Sequence, residues 1–336
     1  ISGSSIYDRS KTDASDASED SYGRVKNNQY TLGVNYLLIF NKKSYSKTSV
    51  SLSDQISKIQ FFDISSDSLI NGINDKYLTY HIRNVNYISL NNKFNIVTGV
   101  ELHNRNLEYD FKLNDIIVKD VISFQNSSLF LNLKALVFEN ITISSGLRIE
   151  NSDFENTIKT SPRLNFDFRL PGRLGNIIVN SGKYHQNPPE KYLALDTQSN
   201  VRSVYANQNS ISYERLLTES TKLTLSLYEK YYGNAPIIDS EYDSFTSPAF
   251  LMDKSLTYND IKFDGKAESK GAEFLIEKKR AQNFYGHVGG SLFNSTYVDY
   301  MGIERNRDSN YKYTFNVVGG YRPSDRWEIS IRWSLF

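Results

Sequence analysis

Apolar and polar residues alternate along most of this chain. Between residues 311 and 321 the odd positions are Tyr311, Tyr313, Phe315, Val317, Gly319 and Tyr321, and the even ones are Lys312, Thr314, Asn316, Val318 and Gly320. Trp327, Ile329, Ile331 and Trp333 repeat the pattern against Glu328, Ser330 and Arg332. A period of two puts each set on its own face of a β-strand. The apolar face, with aromatics at its ends, suits lipid; the polar face suits a water-filled lumen. Leu164, Phe166 and Phe168 alternate with Arg163, Asn165, Asp167 and Arg169, and Leu223, Leu225 and Leu227 with Thr224, Ser226 and Tyr228. Ile141, Ile143, Leu147 and Ile149 likewise face away from Thr142, Ser144, Arg148 and Glu150. A mid-strand arginine is expensive against lipid and ordinary against water. A soluble sandwich with one wet face explains the alternation equally well.

The alternation and its punctuation by turn residues predict about fourteen strands, near residues 28–40, 45–60, 76–90, 94–109, 122–138, 141–151, 160–170, 176–186, 203–216, 221–233, 266–279, 283–297, 310–321 and 326–336. Their connections separate a barrel from a sandwich. Those at 41–44, 91–93, 171–175, 218–221, 280–283 and 322–325 are short, and those at 64–75, 110–120, 187–202, 233–265 and 299–310 are long. Short turns at one rim and long loops at the other mark outer-membrane barrels, with the turns in the periplasm. On that rule the run at 28–40 descends and the run at 326–336 ascends, so both ends of the strand series lie at the outer rim. The expectation is a barrel segment over 28–336, incomplete at both ends, preceded by an acidic, Ser-rich extracellular loop or tail over 1–27. Phe336 falls on the polar side of the last strand, with Ser334 and Arg332, which fits a wall that continues beyond it.

Composition narrows the class. The hydrophobic fraction is 39% and the mean hydropathy is -0.49, but alternating strands average to a polar value even in membranes. No run approaches the ~18 apolar residues of a membrane helix. A net charge of +1 with scattered Lys and Arg offers no field for nucleic acid. Cysteine is absent, which removes disulfides and thiol metal sites.

From about Ser161 to Trp333 a succession of segments carries a family likeness: SPRLNFDFRL, IIVNSGKYHQNPPEKYLAL, SVYANQNSISYERLL with TKLTLSLYEKYYGNAP, KAESKGAEFLIEKK with FYGHVGGSLFNST, and YTFNVVGGYRPSDRWEISIRW. Each alone is a weak strand pattern; their order and spacing resemble the C-terminal barrel of TonB-dependent receptors. The resemblance implies an all-β, antiparallel transmembrane β-barrel of ~22 strands, about fourteen of them in this chain, whose lumen a plug closes. No plug and no TonB-contacting segment is recognisable here, and residues 1–160 match only in general barrel character. The function implied is energised uptake of a siderophore, cobalamin, glycan or peptide across the outer membrane of a Gram-negative cell. The implied partners are outer-membrane lipid, TonB acting through a plug, a small nutrient ligand and, in some members, a surface lipoprotein. A passive porin-like channel and a soluble surface-binding sandwich are the alternatives.

Candidate ligand contacts gather at the predicted outer rim. His185, Gln186 and Asn187 precede Pro188 and Pro189 where a rising strand meets a long loop, and the prolines also serve simply to stop the strand. Asp239, Glu241 and Asp243 offer alternating carboxylate oxygens suited to a hard cation or to water. Tyr231, Tyr232 and Tyr242 can stack on a sugar or chelate, or sit in an interfacial aromatic girdle. The four histidines, His81, His103, His185 and His287, have no metal-ligand spacing. No nucleophile, base, catalytic carboxylate pair or phosphate loop is set in a supporting context, so an enzyme is not expected.

Overall fold

The computed structural model describes residues 2–7, 21–113, 116–188, 201–238, 261–281, 283–307 and 309–336. The first eight strands are β1 (Ser2–Tyr7), β2 (Ser21–Asn41), β3 (Ser44–Asp63), β4 (Leu69–Ser89), β5 (Phe94–Leu113), β6 (Ile116–Phe138), β7 (Ile141–Ser152) and β8 (Glu155–Arg169). The rest are β9 (Asn176–Gln186), β10 (Val204–Thr218), β11 (Thr221–Ile238), β12 (Ile261–Ala281), β13 (Phe284–Val298), β14 (Glu304–Asn306), β15 (Tyr313–Ser324) and β16 (Trp327–Leu335). Each pairs antiparallel with its neighbour in sequence to form one sheet, and the short β14 hangs from β13. A sandwich needs a second sheet packed on the first; among the described residues there is one sheet only.

The faces sort as the alternation requires. The register aligns Tyr213, Leu225, Phe274, Gly290 and Phe315 in one row across five strands, and Ile211, Leu227, Ala272, Leu292 and Tyr313 in the next. This outward face is bare: Leu32 is 71% exposed, Leu292 67% and Trp327 70%. So large an apolar face on one sheet is a surface for lipid. The opposite face carries His81 and Arg83 on β4, Glu101 on β5 and Arg148 and Glu150 on β7, where water can solvate them. The chain is an antiparallel membrane-barrel wall.

Turns at one rim are tight and chemically specified. Asn91 Oδ1 accepts the backbone N–H groups of Lys93 (2.8 Å) and Phe94 (2.9 Å), and Asn41 Oδ1 that of Lys43 (2.9 Å). Gly175 has φ 104°, and a side chain there would collide with the Glu214 carbonyl. Aromatic rings cover glycines on facing strands, Phe130 over Gly99 and Tyr285 over Gly320, each filling the gap that a missing side chain leaves.

The strands run longer than expected at the other rim. β3 and β4 reach Asp63 and resume at Leu69, and β7 and β8 are separated only by Asp153 and Phe154. Much of the length expected as loop at 64–75 and 110–120 is strand projecting past the membrane, where ~9–11 residues suffice to cross. Strand also begins before residue 28: Ser2 to Tyr7 pair with Gln29 to Arg24. Past the membrane both faces can meet water, so an apolar row is no longer required, and residues 21–27 and 54–63 lack one. Two strands, β1 and β14, therefore add to the expected set.

Candidate functional site

Two polar clusters on the wall are built by cross-strand register. The first lies on the lumen face of β4 to β7. The tight turn between β4 and β5 sets His81 directly opposite His103, and the two rings meet edge to face at 5.8 Å. His81 Nε2 lies 2.7 Å from Glu101 Oε1. Arg148 donates both terminal nitrogens to Glu101 Oε2 (3.1 Å each), and its Nε lies 2.9 Å from Glu150. The guanidinium carbons of Arg83 and Arg148 lie 5.9 and 6.0 Å from the Phe130 ring centre. The ring has that position because Gly99 beneath it lacks a Cβ. The absence of metal spacing along the chain said nothing about this cluster, since its members come from four strands. Counting outward from the β4–β5 turn would have placed His81 opposite His103. Among the described residues, no group of three or more His, Cys, Asp or Glu side chains is arranged to hold a metal ion.

The second cluster lies at the outer ends of β7 to β10. The β8–β9 ladder begins at Arg163 opposite Gly182, just after Pro162, a residue with no N–H to offer. Beyond that point side chains hold the two strand ends together. Ser161 Oγ is 3.0 Å from His185 Nδ1. Lys159 Nζ donates to Ser152 Oγ (2.7 Å), Ser203 Oγ (2.8 Å), Asn187 Oδ1 (3.3 Å) and Glu155 Oε2 (3.4 Å). Glu155 Oε2 also accepts the Ser203 backbone N–H at 3.0 Å. The Lys159 side chain is only 5% exposed, and the Phe154 ring centre lies 5.2 Å from its ammonium. With every donor engaged, Lys159 acts as a strut. It ties both flanks of the β9–β10 connection, Asn187 and Ser203, to the β7–β8 hairpin.

Two further carboxylates order outer turns. Asp63 accepts the backbone N–H groups of Ser65 (3.0 Å) and Ser66 (2.7 Å) and both hydroxyls. The Ser65 hydroxyl, then the Ser66 N–H and hydroxyl, lower its pKa to about 2. Asp299 accepts from the backbone N–H groups of Met301 (2.9 Å) and Ile303 (2.7 Å) and from Arg305 Nε (2.7 Å), with its carboxylate 1% exposed. Burial alone would raise its pKa; the Arg305 bond and the two N–H groups outweigh that and lower it.

Of the expected contact residues, His185 and Asn187 come together in the Lys159 cluster, while Gln186 is exposed at the end of β9. Tyr231 and Tyr232, successive residues of β11, point to opposite faces. Tyr231 shares the face of Tyr205 and His185, whereas Tyr232 lies under the Arg307 guanidinium at 5.6 Å. Asp239, Glu241, Tyr242 and Asp243 lie outside the described residues. Sequence reasoning missed Lys159, Glu155, Ser152 and Ser203, which are unremarkable residues until the register and the break at Pro162 bring them together.

No family model and no curated protein matches the sequence. Solved structures do. The copper transporter OprC superposes with a TM-score of 0.69 at 12% identity, covering 94% of this chain and 52% of that one. The outer membrane transporter YddB from Escherichia coli gives 0.67 at 10%, covering 94% and 52%. The pyoverdine outer membrane receptor FpvA from Pseudomonas aeruginosa PAO1 gives 0.67 at 14%, covering 98% and 54%. The chain thus spans about half the length of these structures, which are transporters and receptors. What it shares with them is the fold: a long stretch of the wall of an outer-membrane transporter barrel.

Proposed function

We propose that the chain is part of the wall and outer rim of a TonB-dependent outer-membrane receptor that imports a small nutrient, of siderophore, cobalamin, glycan or peptide type. The observation that carries this reading is the single meandering sheet with a lipid-suited outward face, a charged inward face, tight turns at one rim and projecting strands at the other. Likeness in fold to receptors and transporters supports it. β1 and β16 stand at the two ends of the sheet's strand order and do not pair with each other among the described residues. In this reading His185, Gln186, Asn187, Tyr231, Tyr232, Asp239, Glu241, Tyr242 and Asp243 would meet ligand at the outer rim. TonB would act through a plug, surrounding lipid would cover the outward face, and a surface lipoprotein is a further partner of this reading.

Uptake in a Gram-negative host tests it. Deleting the gene should abolish accumulation of one labelled ligand from a panel of those four classes, and a protonophore should abolish it in the parent strain. Uptake that survives the protonophore, or steady ion conductance of the purified protein in a planar bilayer, would identify a passive channel. A water-soluble monomer needing no detergent would overturn the membrane reading altogether.

A further inference from the structure

One stretch of the inward face carries cations with no carboxylate beside them. The register sets Arg163 on β8, Gly182 on β9, Gln208 on β10 and Lys230 on β11 in a single row, at the level where the β8–β9 ladder parts. The row beneath is Asn165, Asn180, Ser210 and Tyr228, and above it on β9 to β11 stand Tyr184, Ala206 and Tyr232. None of these residues is acidic. Each cation rests on a ring instead: the Arg163 guanidinium carbon lies 4.5 Å from the Tyr184 ring centre, and the Lys230 ammonium 5.2 Å from that of Tyr228. Gly182 permits the first stack, because the Arg163 stem and the Tyr184 ring both pack 3.2 Å from where its Cβ would lie. Among the described residues the side chains of Arg163, Gln208 and Lys230 have no hydrogen-bond or ion-pair partner. A ring face attracts a cation without neutralising it.

We propose that this row binds a small ligand bearing two or more carboxylates, one held at Arg163 and another at Lys230. The spacing decides the class. The two cations stand three strands apart, about 14 Å at the backbone, so each meets its own anionic group, and a single positive charge at each matches a carboxylate. A phosphate, which concentrates more charge in one group, would call for cations that converge. Held flat on its ring, the Arg163 guanidinium keeps its N–H edge for a two-point contact with a carboxylate. The Gln208 amide lies between the two cations and can take a polar group from the middle of the ligand. The inference rests on the receptor reading above and narrows its ligand to an acidic one.

The test is calorimetric titration of the full protein, folded in detergent, with acetylated and amidated tri-glutamate, and with the matching tri-glutamine as control. The glutamate peptide should bind saturably and the glutamine peptide should not. Arg163→Gln and Lys230→Gln should each weaken binding at least tenfold, whereas Lys134→Gln, which removes a cation from the inward face near the β6–β7 turn, should leave it unchanged. Heat-modifiable gel migration establishes that each variant is folded. A folded barrel that ignores the glutamate peptide, takes both peptides equally, or loses binding as much in Lys134→Gln overturns the proposal and leaves the receptor reading standing. Tripolyphosphate bound in preference to the glutamate peptide would overturn the carboxylate assignment. A protein that does not fold in detergent would overturn the receptor reading and the proposal with it.

Discussion

Replacing Lys159 with methionine tests whether the outer cluster is a strut. Methionine keeps most of the apolar stem and removes the ammonium, so the change is chiefly electrostatic. Glu155 then loses its cation while remaining mostly buried, and Ser152, Ser203 and Asn187 lose a shared donor. Removing one partner of a buried pair costs about 3–5 kcal/mol, because the survivor is left uncompensated. The β7–β8 and β9–β10 ladders do not depend on this cluster, so the cost should appear as local opening. At about 1.4 kcal/mol per tenfold, 3 kcal/mol corresponds to a rise of roughly two orders of magnitude in amide exchange. The Ser203 amide, bonded to Glu155, is the reporter, and the Leu225 amide in the β11 ladder is the internal control. Adding Glu155→Gln should restore much of the protection, since no unpaired charge then remains. Unchanged exchange at Ser203 in Lys159→Met, or strictly additive losses in the double variant, would refute the argument. A pair with an exposed lysine gives the contrast: Glu268→Gln, which unpairs Lys270 on the outer part of β12, should leave amide exchange in β12 close to wild type.

Acid should loosen the outer turns in a defined window. Because the Asp63 and Asp299 carboxylates titrate lower in the folded chain, their contributions are fully present above about pH 4 and disappear as pH falls through the folded values, near 2 for Asp63. Amide exchange around Ser65, Ser66 and Ile303 should thus be flat in protection between pH 7 and 5 and lose protection below 4; loss already at pH 6 contradicts the assignment. Gly99→Ala places a methyl against the Asn84 carbonyl and the Phe130 ring, an overpacking cost of about 1–3 kcal/mol, read as an earlier midpoint in guanidinium titration. Ile331→Arg on the outward face should cost about 2–4 kcal/mol in bilayers, while Ser330→Arg, one residue away on the lumen face, should cost little. Equal costs for the two would mean that the faces are assigned the wrong way round.

The wall was legible where a physical asymmetry acts on both faces of a strand. Across the membrane one face meets lipid and the other water, so Tyr313, Phe315 and Val317 had to alternate with Thr314 and Asn316, and the predicted outward row is the one found exposed or covering its neighbours. Past the membrane that asymmetry ends. Residues 21–27 and 54–63 pair as strand with no apolar stripe, so pattern alone could not extend the ladder that far. The site was less legible for a different reason. His185 and Asn187 were found through the rim position that Pro188 and Pro189 mark, but their partners Lys159, Ser161 and Ser203 are set by a ladder that fails at Pro162, a consequence of three-dimensional register.

These two regimes explain how one chain builds a rigid wall and a separately adjustable rim. Within the bilayer every backbone polar group must find a strand partner, because lipid offers none, and β2 to β13 show ladders that run nearly unbroken there. Above the bilayer water can satisfy the backbone, so the ladder is free to part, as it does between β8 and β9 beyond Arg163. Position then passes to side chains: one lysine, one glutamate and a few hydroxyls and amides hold the β9–β10 connection to its neighbour. Side-chain struts can be exchanged by point substitution without disturbing the wall beneath them. The residues that set the rim's shape are consequently those least constrained by the barrel, and that is where the rim can change at the smallest structural cost.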